Sequence, residues 1–180
     1  MRLLLDACVL YPTVLREILM GVAARGLYTP LWSERILEEW ARAARKLGPT
    51  GEVQARSEIA MLRAGWPKAA IVPRSGDAAR LWLPDPNDVH VLAAAIAGSA
   101  DKIVTFNARD FPRQTLAEEG LDRIAPDELL YGFWLDQADA VEDVVRGVHE
   151  TAERMSGETM PLRALLKRAR LPRLGKALAR

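Results

Sequence analysis

Short apolar runs alternate with amphipathic stretches along the first 125 residues, the pattern of an α/β fold with a parallel sheet. "RLLLDA" is apolar on consecutive positions and predicts a strand buried on both faces. "TVLREILMGVAARG" places Val14, Ile18, Leu19 and Val22 on one helical face and stops at Gly26. "LYTPLW" predicts a second, weaker strand. Ser33 then has the chemistry of an N-cap for "ERILEEWARAARKLG", where Ile36, Leu37, Trp40, Ala44 and Leu47 share a face before Gly48-Pro49. A helix over 52–64, a strand over 69–73 and a short helical turn over 76–82 follow. "LPDPND" reads as a loop and leads into the alanine-rich helix "VHVLAAAIAGSA". A strand over 103–106 and an edge strand over 123–126 complete the sheet.

Beyond Pro126 the pattern contains no convincing strand. Leu129, Leu130, Phe133 and Trp134 begin a helix, and Val141, Val144, Val145, Val148, Ala152 and Met155 continue a helical stripe. "SGETMP" breaks it, and Leu162, Leu165 and Leu166 line a short basic helix before Pro172. This gives a main domain over 1–125 and a helical C-terminal extension over 126–180.

Charge sharpens that division. The chain of 180 residues has a formal net charge of only +1, but residues 126–160 hold nine acidic against two basic residues, and residues 161–180 hold seven basic and no acidic ones. An acidic stretch followed by a basic one suggests an appendage that meets a partner or a second copy of the chain; the alternatives are two solvated helix faces of differing sign and an apolar stripe that covers the main domain. Nearly half the residues are apolar, yet no run is long enough to span a membrane. The single cysteine, Cys8, excludes an internal disulfide and a cysteine-built zinc site. No signal peptide is expected, and a reducing cytoplasm fits.

The chemistry lies in acids at strand ends and helix starts, where sites form in open parallel sheets. Asp6 ends the first strand, with no helix expected directly after it. Asp85 and Asp88 lie in the loop and first turn before the alanine-rich helix, and Asp110 follows the strand around "IVTF". Glu38 and Glu39 lie in the second turn of the helix after the second strand. Converging carboxylates raise each other's pKa unless a cation is present, and oxygen-only ligands suit Mg²⁺ or Mn²⁺ and phosphoryl chemistry. Each acid also has a plainer reading as a helix cap, strongest for Asp88. His90 reads as a helix-surface residue with phosphate contact as the alternative, His149 as solvated, and the five tryptophans as core. Arg109 and Arg113 are candidate phosphate contacts. A haloacid-dehalogenase-type phosphatase would need an aspartate where Cys8 stands. A Rossmann site would need a Gly-rich turn after the first strand, and none follows.

"LLLDACVLYP", "SERILEEW" and "LPDPNDVHVLAAAIAGSADKIVTFNARDF", in this order and spacing, resemble the PIN-domain (PilT N-terminus) family, in particular its VapC-like toxin branch. The resemblance covers about residues 1–125 and implies a three-layer α/β/α domain with a parallel sheet of four to five strands. It implies a Mg²⁺- or Mn²⁺-dependent ribonuclease whose acids are Asp6, Glu39 (Glu38 the alternative), Asp88 and Asp110. Asp85 matches an extra acid of this branch, and Thr105 and Asn107 match hydrogen-bonding supports. It also implies an RNA substrate and a cognate antitoxin partner. Cys8 departs from the pattern, since many relatives carry asparagine there. A domain that keeps the fold but only binds RNA or a partner is the competing expectation.

Overall fold

Leu3, Leu4 and Leu5 are fully buried because the strand that carries them, β1 (Arg2–Leu5), is hydrogen-bonded on both sides. The computed structural model describes residues 1–179. Among them, β1, β2 (Thr29–Leu31), β3 (Lys102–Val104) and β4 (Asp122–Ile124) form one sheet in the order β2-β1-β3-β4, with every pairing parallel. The register sets Leu4 beside Leu31 on one side and beside Ile103 on the other. Strands this short with crossovers between them put all the carboxyl ends on one edge. The fold is α/β, with a four-stranded parallel sheet and a helical C-terminal part.

The described residues form two compact units. The first comprises Met1–Tyr11 and Thr29–Ile124 and holds the sheet. It also holds α1 (Ala7–Leu10), α3 (Glu34–Ala43), α4 (Gly51–Gly65), α5 (Val89–Ala97) and α6 (Arg113–Glu118). Ser33 caps α3, its Oγ accepting from the Ile36 N–H at 3.2 Å. Ile36, Leu37, Trp40 and Ala44 are buried as the spacing predicts, whereas Leu47 is exposed where Gly48, at φ 106, turns the chain away. Helix α5 carries Val91 to Ala95 buried without interruption, and small alanines let it pack against β1 and β3.

The predicted strand over 69–73 is not part of the sheet. It makes an isolated bridge, in which the Trp32 N–H donates to Ala69 O at 3.0 Å and the Ile71 N–H donates to Trp32 O at 2.7 Å. Val72 is exposed, so this stretch has no second apolar face to bury, and Pro73 has no N–H with which to continue a ladder.

The second unit comprises Pro12–Tyr28 and Ala125–Arg180. Its helices are α2 (Thr13–Ala24), α7 (Pro126–Asp136), α8 (Ala138–Ser156), α9 (Leu162–Arg168) and α10 (Pro172–Leu178), the last not foreseen from the sequence. Helix α2 thus groups with the C-terminal helices although it precedes β2 in the chain. Ile18, Leu19 and Val22 are buried, and the Tyr28 ring stacks on Phe133 with centroids 5.8 Å apart. On the predicted stripe of α8, Val141 and Val145 are buried while Met155 is exposed. Asp127 accepts from the N–H groups of Arg173 and Leu174 at 2.9 and 3.0 Å, which satisfies the open start of α10. His149, expected in solvent, is largely enclosed, with Nε2 2.6 Å from Met160 O. No described helix is long and apolar enough to cross a membrane.

The approach of α2 to α8 depends on Gly21, where a methyl group would stand 2.6 Å from Val144 Cγ1. Gly21→Ala is expected to destabilise the protein by about 1–2 kcal/mol, because overpacking outweighs the gain in helix propensity. In a Val144→Ala background the same change becomes neutral or stabilising, as urea denaturation would register.

Candidate active site

Asp6 sits at the end of the central strand and is 4% exposed. Its N–H still pairs with Val104 O at 3.2 Å, so the β1–β3 register delivers the carboxylate beside the residue after β3, Thr105. Thr105 Oγ donates to Asp6 Oδ2 at 2.8 Å, and the Ala7 N–H donates to Oδ1 at 2.7 Å. A four-residue helix does begin directly after Asp6, contrary to expectation, and Asp6 caps it. "ACVL" followed by Tyr11-Pro12 was too short to read as a helix. Burial nevertheless raises the Asp6 pKa, against the lowering effect of these hydrogen bonds, and the negative charge of Glu39 adds to the rise.

Cys8 fills the position where asparagine was expected. Its thiol donates to Asp6 Oδ2 at 3.3 Å and accepts from the Phe106 N–H at 3.4 Å. Burial, with the charge of Asp6, pushes the thiol pKa up to about 12, so at neutral pH it keeps its proton and acts as a donor. Asn107 is exposed; its N–H donates to Thr105 Oγ at 3.0 Å, and this holds the hydroxyl that serves Asp6. The support expected from Asn107 thus comes from its backbone.

The remaining acids enter from the loops. Asp88 occupies the N-cap position of α5 but makes no capping hydrogen bond, so the plainer reading of it fails. Its carboxyl is pushed up to about 6, first by burial and then by the charges of Asp6, Asp110, Asp85 and Glu39. This one carboxyl therefore registers all the other acids assigned to the site. Asp85 turns its Oδ1 onto the Asn87 N–H at 2.9 Å and shapes the loop that presents Asp88. Asp110 lies in the turn after β3, its N–H donating to Asn107 O at 3.1 Å.

The two glutamates of α3 separate. Glu38 is bound by Arg42 Nε at 3.0 Å and by Arg56 at 2.9 and 3.1 Å, and these guanidinium groups hold its pKa at about 2. Glu39 is the one whose charge reaches Asp6 and Asp88, and its Oε1 lies 2.6 Å from His90 Nε2. His90 is therefore not a surface residue: its side chain is 10% exposed. The i to i+2 step from Asp88 was the available signal, but which face of α5 would be covered was not legible. Arg113 pairs with Asp122 Oδ1 at 2.6 Å, and both Arg113 and Arg109 are exposed. Among the tryptophans Trp32 and Trp40 are core, and Trp82 is 66% exposed.

Among the described residues no three His, Cys, Asp or Glu side chains stand close enough together to hold a metal ion as placed. The donor set nevertheless fits a hard divalent cation. It consists of carboxylate oxygens alone, and the mutual repulsion at Asp88 is the electrostatic cost that such a cation would relieve.

Fold and site together define an α/β protein with Asp6 at the carboxyl end of β1, Asp110 in the turn after β3 and Asp88 at the start of α5. The family model for the PIN domain matches residues 2–109, and the chain belongs to that family. PIN domains are in general nucleases, a class of hydrolase. The match takes in Asp6, Glu39, Asp85, Asp88, Thr105 and Asn107 and ends one residue before Asp110. No curated protein and no solved structure matches the chain.

The crowding of acids has a measurable consequence in metal-free protein. By carboxyl ¹³C NMR, Asp88 should titrate near 6, and Asp110→Asn should lower that midpoint by removing a negative neighbour. The raised pKa means that ionised Asp88 opposes folding, so stability is lost as pH rises from 3.8 through 6. Thermal melts of the EDTA-treated protein should therefore show Asp88→Asn more stable than wild type at pH 7, with no advantage below the ordinary carboxyl pKa.

Proposed function

We propose that this protein is a metal-dependent endoribonuclease that hydrolyses RNA phosphodiester bonds, and that it acts in the cytoplasm as the toxin of a toxin–antitoxin pair. The observation that carries the nuclease reading is the convergence on Asp88 of the charges of Asp6, Asp85, Asp110 and Glu39, within a family of nucleases. Asp6, Glu39, Asp88 and Asp110 would hold Mg²⁺ or Mn²⁺ directly or through waters. When bound, the ion supplies an activated water and stabilises the leaving oxygen. Hydrolysis of the phosphodiester would leave a 5′-phosphate on one fragment and a 3′-hydroxyl on the other.

The chain's own contribution is to aim the acids. Thr105, Cys8 and the Ala7 N–H leave Asp6 little rotational freedom, so its carboxylate meets the substrate side pre-positioned. The toxin role and the antitoxin partner rest on the resemblance of the three motif blocks to the VapC-like branch.

Asp6→Asn or Asp88→Asn should lower Mn²⁺-dependent cleavage of a structured RNA by on the order of 100-fold or more, with the circular dichroism spectrum unchanged. Glu39→Gln should behave in the same way, whereas Glu38→Gln should stay within about twofold of wild type. Wild-type activity in Asp6→Asn would overturn the assignment and leave a PIN-like module that only binds RNA or a partner.

A further inference from the structure

The ring of His90 is nine-tenths buried in the first turn of α5, and neither ring nitrogen makes an aligned hydrogen bond. Nε2 nonetheless lies 2.6 Å from Glu39 Oε1, a close contact set off the direction that a bond requires. Two buried, unsatisfied ring nitrogens are costly, and an apolar side chain of similar volume would fill the space without that cost. A small rotation of either group brings the ring N–H onto the carboxylate, and among the described residues this ring is the buried polar group beside Glu39. Its other neighbour, Arg35 Nε at 3.7 Å, is on a solvent-exposed side chain and is screened.

We infer that His90 is a positioning residue: its Nε2–H donates to the Glu39 carboxylate and fixes that group toward the acid cluster. The inference rests on Glu39, rather than Glu38, being the helix acid of the proposed site. The contact also joins α3 to the start of α5, two elements far apart in the chain, so the ring ties the Glu39 carboxylate to the turn that carries Asp88. Glu38 has no such tie, because Arg42 and Arg56 hold it on the α4 side.

The test uses the full chain. His90→Phe keeps the ring's bulk and removes the donor, and His90→Gln restores an N–H near the Nε2 position. Isothermal titration with Mn²⁺ alone should show binding weakened about 10-fold or more in His90→Phe and largely recovered in His90→Gln. In a Glu39→Ala background His90→Phe should cause no further loss, because the ring acts through that carboxylate. An equal loss in that background, unchanged affinity in His90→Phe, or no recovery in His90→Gln would overturn the inference. Ring ¹⁵N spectra of the metal-free wild type should show an Nε2–H tautomer whose shift moves in Glu39→Ala. An unmoved shift would overturn the inference without any variant of His90 having to fold. A wild type that binds no Mn²⁺ while its His90 shift still moves in Glu39→Ala would sink the metal-dependent reading and leave the His90–Glu39 pairing standing.

Discussion

A carboxylate placed at the end of a strand with neighbours on both sides is almost wholly withdrawn from solvent, and Asp6, at the end of β1, is in that position. Its charge must be met by local donors or be suppressed. Three donors converge on it: Thr105 and Cys8 on one oxygen and the Ala7 N–H on the other. Each hydrogen bond to a charged group contributes about 1.5–3 kcal/mol, enough to hold the side chain in one rotamer although burial still raises its pKa. The arrangement depends on strand register. Leu5 pairs with Val104, so the next residues, Asp6 and Thr105, are adjacent, and a slip of one residue would turn Thr105 to the opposite face.

The same electrostatic constraint spreads outward from Asp6. Asp88 is only half-buried, yet its carboxyl is pushed up to about 6 because four other acids add to its own desolvation. Glu38 and Glu39 show how adjacent residues on a helix diverge. Successive side chains point about 100° apart, so Glu38 meets the arginines of α3 and α4 while Glu39 meets His90 at the start of α5. One glutamate links two helices through arginines and the other faces the histidine at the start of α5.

The second unit follows a simpler rule. In α9 and α10 the residues Leu165, Leu166, Leu174 and Leu178 are buried while Arg163, Lys167, Arg168, Arg173 and Lys176 are exposed, so the basic stretch is the solvent side of an amphipathic pair. Arg173 lies 4.1 Å above the Tyr131 ring, and this ties the outer face to α7 through a cation–π contact. The apolar face of α2 is used here with the C-terminal helices, a grouping that adjacency in the chain does not suggest.

Local chemistry alone was enough to place β1, the Ser33 cap, the alanine-rich α5, the edge strand and the acids at strand ends. Leu3 to Leu5, Ser33 and Asp6 carry those signals in their own side chains and immediate spacing. The α/β class and the family were legible for the same reason. What required the tertiary structure was every difference between equivalent neighbours: the separate partners of Glu38 and Glu39, the enclosure of His90 and His149, the exposure of Trp82 and Val72, and the reduction of 69–73 to a single bridge. Periodicity says that a face is apolar or polar but not which element will cover it. That depends on crossovers and register between segments a hundred residues apart, and the Asp6–Thr105 contact, 99 residues in separation, is the clearest case.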